Sequence, residues 1–309
     1  MRTAVILFNH RADACGVYQY GKRTGTILRG SSLFKFIYIE VESQIEVEKS
    51  IEIHKPSLCV FNYHPATMPW LRCESLGVKC GALIHDVAGK GFDFYIDPDP
   101  KSKESGEVSN IIRPSFEFNQ STKTHNKGKI AIGSFGFGFL NKGFDKICKL
   151  VNNEFDEAII NLHITLSHYC GNIAEQEQII NRCKSEISKP NIELNVTNHF
   201  VNDEELLNFL AANDINIFAY DEMPNRGPSS VLDYAVSVEK PIGLSSSDMF
   251  RHVLCDYRDR LSIEINSISS LANGPIDHIM ELKKAWSHQN FISSYENLVK
   301  KLLKNEYQT

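Results

Sequence analysis

The chain has 309 residues, of which 42% are hydrophobic and 23% are charged, and its formal net charge is −5. This length exceeds one typical core of roughly 100 to 200 residues, so we predict two domains of about 150 residues each. The composition excludes disorder, and the net charge excludes a general attraction to nucleic acid or anionic lipid. No run approaches the roughly 20 apolar residues of a membrane span. The eight cysteines are scattered with no C-x-x-C pair, which is typical of reduced thiols in a cytosol. We therefore expect a cytoplasmic protein, and peripheral contact with the inner face of a membrane is left open.

The first half of the chain alternates between predicted strands and helices. Residues 3 to 8 form a continuous apolar and β-branched run, which is typical of a strand buried on both faces of a parallel sheet. The elements that follow are a weakly helical stretch ending near Leu28, a strand at 34–41, a helix at 43–54, a strand at 57–62, a short helix around Trp70 and a strand at 79–84. This order predicts a Rossmann-like, doubly wound α/β domain.

Polar residues follow several of these strands. His10, His64 and the pair His85 and Asp86 come after predicted strands, at the edge where open parallel sheets bind ligands. Gly16 would permit close approach of a substrate. A single histidine there is more often structural, but polar residues at several strand ends favour a ligand-binding cleft.

Composition changes most between residues 97 and 127, in two polar, turn-rich stretches. We place a domain boundary near residue 125, which gives an N-terminal domain at 1–125 and a C-terminal domain at 126–309. The second domain ends in a helical tail at 276–307, which we expect to pack along it, with packing back on the first domain as the alternative.

The second domain opens with a predicted strand at 130–132. This strand breaks into a loop that holds Gly133, Gly136 and Gly138, after which Lys142 opens a helix. Glycines let a ligand approach the backbone, and the free N–H groups of a first helical turn attract an anion. The remaining predicted elements are a strand at 158–166, a helix at 175–187, a strand at 192–196, a helix at 203–212 with Asp203 as its N-cap, a strand at 215–219, a helix at 229–238 and a strand at 241–244.

Four stretches resemble the GT-B fold glycosyltransferases, and particularly their family-4 type. They are GSFGFGFLNKGFD, TNHFVNDEELLNFLAANDINIF, EMPNRGPSSVLDYAVSVEKPIGLSSSDMFRHV and IHDVAG. The resemblance is clear over residues 128–255 and only topological over much of the first half. It implies two Rossmann-like domains facing a cleft, with an N-terminal acceptor domain and a C-terminal donor domain. It further implies hexosyl or related glycosyl transfer from a nucleotide diphosphate sugar to a glycan or lipid-linked acceptor.

The resemblance also assigns roles to residues. Lys142 matches the family lysine that meets the developing negative charge on the leaving diphosphate, and Arg226 would add a bidentate contact. His85 and Asp86 match the loop facing the acceptor. The predicted catalytic residues are His85, Asp86, Lys142 and Arg226. The predicted donor-binding residues are Gly133, Ser134, Gly136, Lys142, Phe200, Arg226, Gly227, Ser229, Ser230, Asp233 and Tyr234, and the predicted acceptor-binding residues are Gly16, His64 and Asp86.

We predict no metal ion and no cofactor, because the eleven histidines show no metal-ligand spacing. One departure from the family pattern matters. The family's glutamate pair, spaced E-x7-E, would fall on Arg226 and Tyr234, although Asp233 could still reach the ribose hydroxyls. Retention of the anomeric configuration, the family's usual course, is therefore open. The alternatives are a catalytically silent GT-B protein that binds a sugar nucleotide, and a nucleotide-sugar epimerase or phosphorylase.

Overall fold

The computed structural model describes residues 2–86, 88–118, 128–167 and 172–304. Its strands are β1 (Ala4–Asn9), β2 (Lys35–Glu40), β3 (Leu58–Phe61), β4 (Lys79–Leu83), β5 (Phe94–Asp97), β6 (Val108–Asn110), β7 (Ala131–Phe137), β8 (Ala158–Thr165), β9 (Ile192–Thr197), β10 (Ile215–Phe218) and β11 (Ile242–Leu244). Its α-helices are α1 (Gly16–Leu28), α2 (Gln44–His54), α3 (Phe144–Glu154), α4 (Ile173–Ser185), α5 (Asp203–Ala211), α6 (Val231–Ser237), α7 (Arg251–Leu261), α8 (Ile268–Asn273), α9 (Asp277–Ala285) and α10 (His288–Lys304).

The described strands form two parallel sheets. The first has the order β2-β1-β3-β4-β5-β6, and the second has the order β11-β10-β7-β8-β9. In the first sheet, β2 lies on one side of β1 and the later strands, starting with β3, lie on the other side. In the second sheet, β8 and β9 lie on one side of β7, and β10 and β11 lie on the other side. The strand order therefore reverses between β1 and β3 and between β7 and β10. Open α/β sheets bind ligands at such switch points, beyond the carboxyl ends of the strands. The predicted α/β class, with two doubly wound parallel sheets, is confirmed.

The chain divides into two compact units. Unit 1 runs to Pro114 and also takes in Arg226–Pro228 and the segment from Trp286 onward, while unit 2 comprises Ser115–Asn225 and Ser229–Ala285. The predicted boundary near residue 125 lies outside the described residues, and the division falls at Pro114. The predicted helical tail divides between the two units, because α9 belongs to unit 2 and α10 belongs to unit 1.

The packing of α10 explains this difference. Phe291, Tyr295 and Leu298 on its apolar face are buried in the core that β1, β3 and α1 also line. The carboxylate of Glu296, which is 8% exposed, accepts hydrogen bonds from the hydroxyl of Ser31 (2.6 Å) and from a backbone N–H of the following turn. The apolar spacing of α10 predicts a packed helix, but it does not identify the sheet on which the helix packs.

The central strand of the second sheet is longer than the sequence indicates. The predicted end of this strand at Ile132 is wrong, because β7 continues through Gly133, Ser134 and Gly136 to Phe137. It pairs with β8 along its whole length and with β10 at its start. These ladders hold the glycines in extended conformation, so the glycine loop is shorter than predicted and begins at Gly138.

Other local differences have simple causes. Helix α5 is capped by Asn202 and not by Asp203, because Asn202 and Glu205 form a reciprocal capping box. Trp70 lies outside any helix, and a short 3-10 helix instead covers Cys73–Ser75. Strands β5 and β6 and helices α7 and α8 were not predicted.

Candidate functional site

In unit 2, Lys142 lies at the switch point of the sheet. Its ammonium group is 3.8 Å from the centroid of the Tyr220 ring, and Tyr220 follows the end of β10. An ammonium group over an aromatic face is attracted by the ring quadrupole. Burial raises the pKa of Tyr220 far above its ordinary value, so the ring carries a neutral phenol. The lysine ammonium therefore lies over the face of an uncharged aromatic ring.

Gly143 fixes the loop that carries this lysine. It is the N-cap of α3 and has a φ of 63°, in the left-handed region that favours glycine. A Cβ atom at Gly143 would lie 1.9 Å from the carbonyl oxygen of Ala219. The backbone N–H of Asp221 also donates to the carbonyl of Asn141 (2.9 Å). The β7–α3 loop is thus held against the end of β10, with Lys142 ahead of the free N–H groups of α3.

Two further residues that were predicted to bind the sugar donor, Gly136 and Ser229, lie next to the Tyr220 ring. A Cβ atom at Gly136 would lie 3.8 Å from the Tyr220 hydroxyl and 3.9 Å from Cδ of Lys142. The hydroxyl of Ser229 donates to the Tyr220 hydroxyl (3.4 Å). The structure therefore brings together Gly136, Lys142 and Ser229 around Tyr220. Sequence analysis missed Tyr220, although an aromatic residue directly after a predicted strand was a usable signal.

Other predicted donor residues have different surroundings in unit 2. Gly133 lies inside β7 against the side-chain amides of Asn213 and Asn216, and Ser134 is 1% exposed. Phe200 is half exposed.

The residues near the start of α6 are also largely enclosed. Ser230 is the N-cap of α6, and Asp233 within this helix is fully buried. The hydroxyl of Tyr234 donates to Asp203 (2.7 Å), and its ring lies 4.4 Å from that of Phe116, centroid to centroid. In this structure, neither Asp233 nor Tyr234 presents a free polar group at the surface of unit 2.

In unit 1, Asp86 is the centre of a charged cluster. It lies beyond β4 and forms an ion pair with Arg226, and Nε2 of His64 is 3.1 Å from its carboxylate. The hydrogen bond from His64, assisted by the charge of Arg226, lowers the pKa of Asp86 to about 2. The carboxylate is therefore ionised at neutral pH. Gly16, the third predicted acceptor residue, is the exposed first residue of α1.

The segment Arg226–Pro228 packs on the backbone next to Asp86. A Cβ atom at Gly227 would lie 1.6 Å from the carbonyl oxygen of His85, so only glycine allows this approach. The close contact and the ion pair of Arg226 with Asp86 together hold the segment in unit 1.

We expect Gly227→Ala to destabilise unit 1, because the added methyl group would overlap a backbone carbonyl that cannot rotate away. Overpacking of this kind costs about 1 to 3 kcal/mol. Thermal unfolding of Gly227→Ala and of the control Gly106→Ala measures this effect, since a Cβ atom at Gly106 meets no atom within 4 Å. Equal melting temperatures for the two variants would contradict the predicted contact.

His85 is the second polar group at this edge of the first sheet. Its Nε2 lies 2.7 Å from Oδ1 of Asn62, which follows β3. Burial, with smaller contributions from the charges of Arg113 and His64, lowers the pKa of His85 to about 3. Arg113 is itself buried, and its guanidinium lies 4.8 Å from the centroid of the Tyr20 ring. The imidazole of His85 is therefore neutral at neutral pH.

The lowered pKa of His85 predicts a pH-dependent stability. Between about pH 6.5 and pH 3 the unfolded chain binds a proton that the folded chain does not, so stability falls as the pH drops through this range. The slope approaches about 1.36 kcal/mol per pH unit for one proton. We expect His85→Gln, which keeps a donor to Asn62, to lose this contribution. Denaturant unfolding at several pH values measures it, and parallel profiles for the two proteins would contradict it.

The described residues show neither a metal-binding cluster nor a membrane-spanning helix. No three His, Cys, Asp or Glu side chains in these ranges lie close enough together to hold a metal ion. No helix there combines the length and apolar character needed to cross a membrane.

No protein-family model matches the chain. A comparison with curated proteins also finds no similar sequence. Solved structures do match. A glycosyltransferase from Rickettsia africae is 11% identical with a TM-score of 0.65, and the match covers 98% of this chain and 99% of that one. The Anabaena protein Alr3699/HepE, in complex with UDP and glucose, is 8% identical with a TM-score of 0.68, over 97% of this chain and 100% of that one.

A third match is the O-GlcNAc transferase of Thermobaculum terrenum, which is 11% identical with a TM-score of 0.64, over 99% of this chain and 69% of that one. At such low identities these matches establish the fold. The chain has the two-domain α/β fold of the GT-B glycosyltransferases.

Proposed function

We propose that the protein is a metal-independent glycosyltransferase of the family-4 type. It binds a nucleotide diphosphate sugar in unit 2 and transfers the glycosyl group to a hydroxyl of a glycan or lipid-linked acceptor bound in unit 1.

The position of Lys142 is the main support for this proposal. Breaking the bond between the anomeric carbon and the diphosphate leaves negative charge on the departing phosphate, and a preorganised cation stabilises that charge. Lys142 lies at the switch point of the second sheet, ahead of a helix N-terminus, and both features suit a diphosphate. The neighbouring Gly136 has no side chain to fill the space beside Lys142 and Tyr220.

A second line of support comes from the Anabaena relative, whose structures contain UDP with glucose and UDP-glucose. UDP-glucose is therefore the first donor to test.

The acceptor is assigned to unit 1 because of a cavity whose lining includes Tyr63 and Pro65, the two chain neighbours of His64. This cavity has a volume of about 430 Å³ and is lined by Tyr63 and Phe92 together with the charged residues Arg72, Glu74 and Lys90. The Tyr63 and Phe92 rings meet edge to face at 5.1 Å between centroids. Aromatic surface with a few polar groups is typical of small-molecule sites, and the apolar face of a sugar ring can stack on it.

Binding and turnover measurements test the proposal. UDP, GDP, ADP and dTDP are titrated by calorimetry, and the corresponding diphosphate sugars are incubated with and without EDTA. Selective binding of one nucleotide, with sugar release that survives EDTA, is the expected result. Failure of all four nucleotides to bind at millimolar concentration would contradict the proposal. NMR of the product anomer then distinguishes retention from inversion.

A catalytically silent binding protein is the second candidate. It is favoured by the positions of the family's glutamate pair, which are Arg226 and Tyr234 here, and by the complete burial of Asp233. The same experiment separates the two candidates, because a silent protein would bind a nucleotide without releasing sugar from any donor.

A further inference from the structure

A chain of hydrogen bonds connects five side chains at the carboxyl ends of β1 to β4 in unit 1. Nε2 of His85 is 2.7 Å from Oδ1 of Asn62, and Nδ2 of Asn62 donates to Oδ1 of Asn9 (2.8 Å). Nδ2 of Asn9 donates to the hydroxyl of Tyr38 (2.9 Å), which donates to Glu40 (2.9 Å). Four neighbouring strands thus contribute to one polar network that ends on a carboxylate.

Backbone groups fix the direction of both amides. Nδ2 of Asn62 also donates to the carbonyl of Val17 (2.6 Å), and a carbonyl oxygen can only accept. Nδ2 of Asn9 likewise donates to the carbonyl of Tyr18 (3.0 Å), while its Oδ1 accepts from the backbone N–H of His10 (3.0 Å). Neither amide can flip without placing two oxygens together. Oδ1 of Asn62 must therefore face His85.

This orientation determines the tautomer of His85. An amide oxygen only accepts hydrogen bonds, so the proton of the neutral imidazole lies on Nε2, and Nδ1 keeps its lone pair. Within the described residues, no group donates a hydrogen bond to Nδ1. The charged or titratable groups that act on this ring are Arg113, His64, Asp86 and His10.

The far end of the network is equally well determined. The hydroxyl of Tyr18 also donates to Glu40 (2.8 Å). Burial and the hydrogen bond to Glu40 raise the pKa of Tyr18 to about 12, so this hydroxyl keeps its proton. Burial likewise raises the pKa of Tyr38. Both phenols are therefore donors at neutral pH, and the carboxylate anchors the chain.

Gly21 shows that helix α1 makes room for the two amides. A Cβ atom at Gly21 would lie 2.3 Å from Nδ2 of Asn62 and 2.9 Å from Cγ of Asn9, and both asparagines are fully buried. A glycine inside a helix is destabilising relative to alanine. The helix therefore carries a destabilising residue at the point where the amides pack against it.

We propose that Asn62 and Asn9 are positioning residues that hold His85 as its Nε2–H tautomer, so that Nδ1 accepts a hydrogen bond from a hydroxyl group of the acceptor substrate. The identity of that hydroxyl rests on the function proposed above, but the tautomer does not. A site of this kind selects acceptors that can donate a hydrogen bond at this position and rejects their deoxy or O-methyl analogues.

Nitrogen-15 NMR of the histidine rings tests the tautomer in the wild-type protein, with His85→Gln identifying the signal. The expected spectrum shows a protonated Nε2 and an unprotonated Nδ1 at pH 7. A protonated Nδ1, or an equal mixture of tautomers, would overturn the proposal. Because this measurement requires no turnover, it can succeed or fail independently of the proposed function.

Two substitutions of Asn62 test its role. Asn62→Leu removes the hydrogen-bond acceptor at similar side-chain volume, so His85 should lose its preference for the Nε2–H tautomer. The control Asn153→Leu, at an exposed position, should leave the tautomer unchanged. Asn62→Asp keeps an oxygen that faces His85, and its second oxygen faces the Val17 carbonyl and Oδ1 of Asn9, so that oxygen must carry a proton. This variant should therefore keep the Nε2–H tautomer. The aspartate variant keeps the test decisive if the leucine variant does not fold. An unchanged ring spectrum in folded Asn62→Leu, or loss of the Nε2–H tautomer in folded Asn62→Asp, would overturn the proposal.

Once a transfer reaction is measurable, Asn62→Leu should lower kcat by about tenfold or more and leave the KM for the donor unchanged, whereas Asn62→Asp, which keeps the tautomer, should retain most of the rate. Loss of donor affinity without loss of kcat would contradict a positioning role on the acceptor side.

Discussion

Lys142→Met is expected to lower the affinity for a nucleotide diphosphate and to reduce the rate of sugar transfer by roughly ten- to a hundredfold. Methionine keeps a long apolar side chain over the Tyr220 ring but removes the ammonium group that lies 3.8 Å from its centroid. Each factor of ten corresponds to about 1.36 kcal/mol, and a charge-assisted hydrogen bond contributes about 1.5 to 3 kcal/mol. The melting temperature should change little, because a cation–π contact at a partly exposed position contributes about 0.5 to 1 kcal/mol.

Lys149→Met is the matched control, because Lys149 lies on the exposed face of α3, seven residues further along the chain. Calorimetric titration of both variants with the nucleotide that binds wild type, followed by rate measurements, gives the comparison. If both variants bind and react like wild type, Lys142 does not contact the diphosphate. The fold would be unaffected by that result, but the donor site would have to lie elsewhere.

The alternation of apolar runs with amphipathic segments predicts much of this fold. Buried parallel strands such as β1 and β3 are continuous apolar runs, and their period and length are visible in the sequence. Short strands such as β5 and β6 have four and three residues and no clear period, so they were not predicted. The extension of β7 through its glycines depends on pairing with β8 and β10, and such tertiary pairing overrides local propensity.

In the candidate sites, too, residues with a local sequence signal could be predicted, whereas contacts that depend on the tertiary structure could not. Lys142 and Asp86 could be predicted because each follows a strand, and strand ends bind ligands in this class of sheet. The partner of Asp86 could not be predicted from local pattern, because Arg226 is 140 residues away in the chain. The roles of Asn9 and Asn62 depend on the register of three adjacent strands and on the space left by Gly21. These are properties of the assembled sheet and helix.

Asp86→Asn is expected to reduce the rate of transfer by ten- to a hundredfold or more, with a smaller effect on stability. The carboxylate pairs with His64 and accepts a hydrogen bond from Arg226, and an amide of the same shape has no charge and only one accepting oxygen. Losing a hydrogen bond between charged groups costs about 1.5 to 3 kcal/mol, which corresponds to the predicted range of rates. The effect on stability is smaller because half of the Arg226 side chain is exposed, and solvent screens the pair.

The lowered pKa of Asp86 gives this substitution a second, independent signature. In the unfolded chain the carboxyl group binds its proton below about pH 4, whereas in the folded chain its pKa is about 2. The ionised group therefore stabilises the fold above about pH 4, and this contribution is lost as the pH falls toward 2. Asp86→Asn should remove that part of the acid dependence, whereas the control Asp277→Asn, which breaks an exposed pair with Arg260, should leave the rate unchanged. If Asp86→Asn reacts as fast as wild type and shows the same acid dependence, the charged cluster in unit 1 neither holds the Arg226 segment nor supports the reaction.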